Sequence, residues 1–236
     1  AKKWQEGNPV PVVIFENEEF NGIALTQGEE ALLQKQLYQF IASHNSFLED
    51  LFRDNYANIV AGLQVAKTEL GSAPFRGMYA GDSELAMQLI RPAYVIRTTG
   101  ATETADNTWS FTFTSGNDYW LGFGTDNTTA INVDKRACII PLAVAWTQGG
   151  LPTVEEIYVQ LGGTSYPVNV VRHGWYADNP NQVRYARIRP QIWRPKSRPL
   201  VQVRSISAAV QEMVLVGIAF VMGDLARTQA PTTIQT

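Results

Sequence analysis

Val210 to Met222 is almost continuously apolar, with Met213, Val214, Leu215, Val216, Ile218, Ala219, Phe220 and Val221 in close succession. The run is too short to cross a bilayer, which takes about 20 apolar residues, and Gly217 interrupts it. It reads as a strand. Successive strand residues point to opposite faces, so a strand apolar at every position must be covered on both sides. One cover is the other half of a β-sandwich. The second is either a pair of amphipathic helices or a neighbouring subunit.

The N-terminal part of the chain offers such helices. Thr26-Gln-Gly-Glu29 is a capping box, in which a hydroxyl and a carboxylate satisfy each other's free backbone N–H groups. The spacing predicts a helix to about Ser43, with Leu33, Leu37, Phe40 and Ile41 on one face. Ser46-Phe-Leu-Glu49 is a second box and predicts one longer helix that carries Leu48, Leu51, Phe52, Tyr56, Ile59, Leu63, Ala66 and Leu70 and stops at Gly71. Before them, Val10-Pro-Val-Val-Ile-Phe15 reads as an extended arm or edge strand, because Pro9 and Pro11 remove ladder donors. Gly77 and Gly81 loosen the next stretch, and Asp82-Ser83-Glu84 is expected to cap a short helix through Leu89, ended by Pro92.

From Ala93 onward the pattern is β. Trp109, Phe111 and Phe113 alternate with Ser110, Thr112 and Thr114. Tyr94–Arg97, Tyr119–Phe123, Ala130–Val133, Ala137–Trp146, Glu156–Leu161, Val168–Arg172, Val183–Trp193, Leu200–Ile206 and Val210–Met222 are further strands. Turn signals such as Asp106-Asn107, Gly149-Gly150 and Gly162-Gly163 separate them. No βαβ alternation is present. The expected fold class is α+β: an N-terminal arm and amphipathic helices over residues 1–92, then a mainly antiparallel β domain, a sandwich or a barrel, over 93–226, then a polar tail over 227–236. Such an arm and tail are expected to lie against neighbouring subunits.

Charge is distributed unevenly. Between Arg172 and Arg204 lie eight basic residues and one acid, Asp178; the rest of the chain holds 11 basic and 21 acidic residues. The basic members are Arg172, Arg184, Arg187, Arg189, Arg194, Lys196, Arg198 and Arg204, interleaved with Trp175, Tyr176, Tyr185 and Trp193. Arginines beside stacking rings suit single-stranded nucleic acid. Against that reading, Pro190, Pro195 and Pro199 break the stretch, and the whole chain carries a net charge of −3, whereas dedicated nucleic-acid binders are basic overall. A protein–protein contact is favoured, with nucleic acid second. The candidate interface comprises the eight basic residues with Trp175 and Trp193. Its complement is the acidic surface of residues 6–54 on another copy.

The residues of catalysis are sparse. His44 and His173 are the only histidines, and no Gly-x-Ser-x-Gly elbow accompanies them. Cys138, the single cysteine, sits among apolar residues and reads as a buried thiol. No zinc pattern exists, and Asp126, Asn127 and Asp134 lack the spacing of a calcium loop. Gly122-Phe-Gly124 is half of a dinucleotide fingerprint and precedes no helix. No cofactor, metal or catalytic residue is therefore expected. The N-terminus, Ala1-Lys-Lys-Trp-Gln-Glu, does not resemble a signal peptide, and no membrane partner is expected.

The succession of arm, amphipathic helices, many-stranded β domain and polar tail resembles viral structural proteins of the jelly-roll kind. Arg198 to Leu225 is similar to their closing strands: a charged turn, Val-Gln-Val-Arg, then a long apolar strand. The resemblance implies a capsid, cement or tail-associated subunit, a homo-oligomer that also meets other structural proteins, made in the host cytoplasm and resident in the virion. Two other classes stay in view. One is a glycan-binding sandwich, with Trp109, Trp120, Trp175 or Trp193 stacking on sugars. The other is a hydrolase using His173.

Overall fold

The computed structural model describes residues 24–42, 46–99, 102–105, 110–113, 119–121, 131–147, 154–161, 170–172, 183–205 and 209–228. The arm at Val10–Phe15, both histidines, Gly122–Gly124 and the tail beyond 228 lie outside them. Three helices open the described chain: α1 (Gln27–Ala42), α2 (Ser46–Asp54) and α3 (Tyr56–Glu69). Then come β1 (Leu85–Leu89), β2 (Val95–Thr99), β3 (Thr102–Ala105), β4 (Ser110–Phe113), β5 (Tyr119–Leu121) and β6 (Ile131–Val133). The rest is β7 (Ala137–Thr147), β8 (Val154–Leu161), β9 (Val170–Arg172), β10 (Val183–Arg187), β11 (Pro199–Ser205), β12 (Ala209–Met222) and a short α4 (Gly223–Thr228).

Eight of these strands form a nested hairpin. In chain order they are β1, β5, β7, β8, β9, β10, β11 and β12. The first pairs with the last, β5 with β11, β7 with β10, and β8 with β9, all antiparallel. Two further pairings, β12 with β7 and β11 with β8, roll the hairpin up. The resulting sheets run β1-β12-β7-β10 and β5-β11-β8-β9. This is the order of a jelly roll, two interlocked Greek keys. A small sheet, β3-β2-β6, and the pairing of β4 with β12 are additions to that frame.

The sheet containing β12 is covered on both faces, as its sequence demands. Toward the sandwich interior it presents Ala86, Ile139, Val144, Leu215, Ala219 and Val221, packed with Tyr94, Val133, Val159 and Trp193. Toward the helices it presents Leu85, Met87, Cys138, Ile140, Ile218 and Phe220. Those meet Leu33 and Leu37 of α1, Leu51 and Phe52 of α2, and Ile59 and Leu63 of α3. Each such side chain contributes roughly 1.5–3 kcal/mol by leaving water. Alternation slips once. Register shifts between Val216 and Gly217, which face Ala143 and Pro141, so Leu142 is the extra residue of a bulge. Leu142 and Ala143 consequently both join the helix-side core.

The first capping box forms as read: Glu29 N–H donates to Thr26 Oγ1 at 3.3 Å, and Thr26 N–H to Glu29 Oε2 at 3.0 Å. A buried Lys67 ammonium donates to the same carboxylate at 2.8 Å and so ties α3 to the start of α1. The second expected helix differs. It is two helices, broken at Asn55, whose amide Nδ2 donates to the Leu51 carbonyl at 2.7 Å and competes with the helical ladder. Beyond Leu70 the chain closes α3 in a Schellman pattern, with Ser72 N–H reaching the Lys67 carbonyl.

The short helix expected at 82–89 is instead strand β1. Glu84 does act as a local cap, accepting from Gly81 N–H at 2.7 Å. Leu85–Leu89, however, alternate between the two cores and pair with Ile218–Met222, and that ladder outweighs local propensity.

Candidate interaction surfaces

From Val183 the basic stretch runs along edge strand β10 and continues as extended chain beside β7. Ile188 N–H donates to the Leu142 carbonyl at 3.0 Å, and Trp193 exchanges backbone bonds with Ile139 at 2.8 and 3.0 Å. Arg194-Pro-Lys-Ser197 is a tight turn, with Ser197 N–H to the Arg194 carbonyl at 3.0 Å and Lys196 at φ 61°. Lys196 N–H and the Ser197 carbonyl both bond Val133, which fastens this turn to β6. Ile188 and Trp193 face inward while Arg187, Arg189, Arg194, Lys196 and Arg198 are exposed. The result is a ridge of cations on a fixed backbone.

Among the described residues, Arg187 and Arg194 pair with acidic side chains of the same chain. Arg187 Nη1 lies 2.6 Å from Asp54 at the end of α2, and Arg194 Nη1 lies 3.0 Å from Glu69 at the end of α3. The hydrogen bond from Arg187 outweighs desolvation and holds the Asp54 carboxyl below its ordinary range. Part of the ridge's charge is thus matched within one molecule, by exposed ion pairs to the ends of two helices.

Trp193 does not belong to any surface. It is fully buried, with its indole N–H donating to Gln191 Oε1 at 3.2 Å, because the inward position in the strand-like segment falls on it. That removes it both from the interface and from sugar stacking. The strands that carry cations of this stretch belong to two different sheets. Arg184 and Arg187 are on β10 of one sheet, whereas Arg172 and Arg204 sit in the other sheet, each opposite Glu156 in register. Trp175 and the side chains of Arg172, Arg184 and Arg204 lie outside the described residues.

Among the remaining candidates, Cys138 is fully buried, and burial pushes its thiol up to about 12. Its Sγ donates to the Gly62 carbonyl at 3.7 Å. The Asp134 carboxylate is taken by Arg136, whose Nε and Nη2 each lie 3.2 Å from it. No group of three or more potential metal ligands occurs among the described residues. No helix among them is long and apolar enough to cross a membrane.

An apolar groove escaped the sequence reading. It encloses about 410 Å³ between the start of α2, the end of β1 and the faces of β10, β7 and β12. Phe47, Leu48, Leu89, Ile90, Tyr185 and Val214 line it. Tyr185, Ala145 and Val214 form a row across three paired strands. One turn further along, Ala143 and Val216 join the helix-side core, whereas here Tyr185 is 42% and Val214 39% exposed. The groove is where the helical layer stops short of the end of the sheet. Phe47, in the first turn of α2, closes one side by packing on the Tyr185 ring at 3.8 Å.

No protein-family model matches the sequence, and no curated protein matches it. Among solved structures, the chain is similar to one described as the acidic stable capsid structure of Helicobacter pylori bacteriophage KHP30, with 10% identity and a TM-score of 0.30 over 58% of this chain and 94% of that one. It is also similar to a structure of infectious bursal disease virus, Gx strain, with 10% identity and a TM-score of 0.28 over 59% of this chain and 34% of that one.

Proposed function

We propose that this chain is a non-enzymatic structural subunit of a virion, a capsid, cement or tail-associated protein that works by self-association. The strand order carries the reading. Two sheets in nested-hairpin order make a jelly roll, an architecture used by viral capsid domains as well as by lectins and cupins. The packed roll interior weighs against a cupin-type internal site. Tyr94, Ile139, Val159, Trp193 and Leu215 fill the space between the sheets, so its work falls to its outer surfaces. Its partners are copies of itself and other structural proteins, with packaged nucleic acid a lesser candidate for the cationic ridge.

The test is electron microscopy of purified protein across a salt series. Rings, shells or tubes of uniform dimension support the proposal. A field of single small particles at high protein concentration and low salt overturns it.

A further inference from the structure

We infer that the corner of the roll carrying Lys135, Lys196 and Arg198 holds the phosphate backbone of a nucleic acid. The inference goes beyond self-association and stands or falls apart from it. The first part of the ridge is matched within the chain, where Arg187 meets Asp54 and Arg194 meets Glu69. Past Arg194 that pairing stops. Lys196 and Arg198 are exposed, as is Lys135 on the neighbouring turn, and none of the three pairs with a carboxylate among the described residues.

Two tight turns build this corner. Arg194–Ser197 closes through Ser197 N–H, 3.0 Å from the Arg194 carbonyl, and the Ser197 hydroxyl donates to the same carbonyl at 2.7 Å. Asp134–Ala137 closes through Ala137 N–H, 3.0 Å from the Asp134 carbonyl, and Lys135 is its second residue. Val133 joins the two turns: its carbonyl accepts from Lys196 N–H at 3.1 Å, and its N–H donates to the Ser197 carbonyl at 2.9 Å. The acid of the second turn, Asp134, is buried and accepts from Arg136 at 3.2 Å. Lys196 stands at φ 61° directly after Pro195, the type II pattern, in a place that glycine or asparagine normally fills. A lysine kept against its backbone preference points to a use for the cation at that apex.

Chemistry decides the partner. The protein alternative is an acidic face of a second copy. On the three helices, however, Glu29, Asp50, Asp54 and Glu69 are each already paired with a cation of their own chain. A nucleic acid brings charges that are not spent in this way. Phosphates need no pocket, only point charges on a fixed support, which lysines supply. Trp193, the aromatic residue nearest Lys196 in sequence, is fully buried and offers no ring for bases to stack on. The contact therefore follows the backbone and not the base sequence. The chain's net charge of −3 weakens long-range attraction but leaves this corner locally positive. Three contacts per copy bind weakly, so low salt is the condition that shows them.

The test titrates the full chain into a short labelled DNA duplex and reads fluorescence anisotropy over a salt series. Three phosphate contacts predict a slope of log affinity on log salt of about −2.7, which is about 40-fold weaker binding for a roughly fourfold rise in salt. Each of Lys135→Gln, Lys196→Gln and Arg198→Gln should reduce that slope by about 0.9, and a duplex of shuffled sequence should bind equally well. Lys196→Gly separates binding from folding: it should melt no lower than wild type, because glycine suits the turn, yet lose the same part of the slope. Arg187→Gln, whose cation is already held by Asp54, should leave binding unchanged. No duplex binding at low salt, or binding that survives the triple substitution, overturns the inference and leaves self-association standing. Tighter binding of poly-glutamate than of the duplex overturns it in favour of an acidic protein.

Discussion

Replacing Glu29 by Gln should cost about 3 kcal/mol of stability. Lys67 Nζ lies 2.8 Å from Glu29 Oε2, and the two side chains are only 8% and 16% exposed. Its other partner is the Ala24 carbonyl at 3.4 Å. Removing the carboxylate charge leaves a buried ammonium with that one weak acceptor. Breaking a buried pair on one side costs roughly 3–5 kcal/mol, and the lower end applies because the amide oxygen can still accept. In a domain of this size that loss lowers Tm by about 6–12 °C. Glu29→Gln, Lys67→Met and the double variant, compared by urea unfolding, form a cycle. The double variant should recover most of the loss, since an apolar replacement removes the stranded charge. The pair also sets a pH dependence. Burial pushes the Glu29 carboxyl up, but hydrogen bonds from Lys67 and Thr26 and the Lys67 charge outweigh it and hold the group below its ordinary value. A depressed carboxylate contributes fully above its unfolded-state pKa, and that contribution is lost as pH falls through the lower folded-state value. Stability of wild type should fall in that acid window, and Glu29→Gln should lack that part of the slope. A loss under about 1 kcal/mol, or no coupling in the cycle, refutes the buried-pair reasoning.

Three other substitutions or reagents test separate parts of the fold. A Cβ on Gly217 would overlap the carbonyl oxygen of Ile140 in the paired strand, so Gly217→Ala should cost about 3 kcal/mol or more by denaturant unfolding, with a cost under about 1 kcal/mol counting against the bulge geometry. Arg187→Ala should change stability by less than about 1 kcal/mol, because the Arg187–Asp54 pair is exposed at 48% and 43%; a larger loss in the same assay would make the ridge a major clamp. Cys138 should resist a thiol reagent at neutral pH until the protein unfolds, and rapid labelling of the native protein would contradict its placement under α3.

Local physics made much of this fold readable. The Thr26–Glu29 box, the apolar stripes of the helices and the double-faced run at Val210–Met222 each imply their structure through side-chain period alone. So does the need to cover β12 twice, which the helices answer. What local pattern misses has long-range causes. Leu85–Leu89 becomes a strand because Ile218–Met222, over 120 positions later, supplies the ladder. The nested order of the sheets depends on which strands meet, and alternation says only that strands exist. Asn55 looks like an ordinary helical residue until its amide finds Leu51. The short β3 and α4 gave no strong period.

The surfaces followed the same division. Clustering in sequence made the basic stretch conspicuous, yet backbone pairing divides it between two sheets, and alternation turns Trp193 inward. The groove was foreshadowed only by length. A 14-residue strand spans about 46 Å, whereas the 14-residue α3 spans about 21 Å, so among the described residues a helix of this length covers only part of the strand.

The most direct measurement is the molar mass of purified protein by light scattering as concentration is raised at low salt. Self-association requires masses that climb in multiples of 26.2 kDa toward a defined larger species. A mass fixed at 26.2 kDa over the whole range would contradict an assembly subunit.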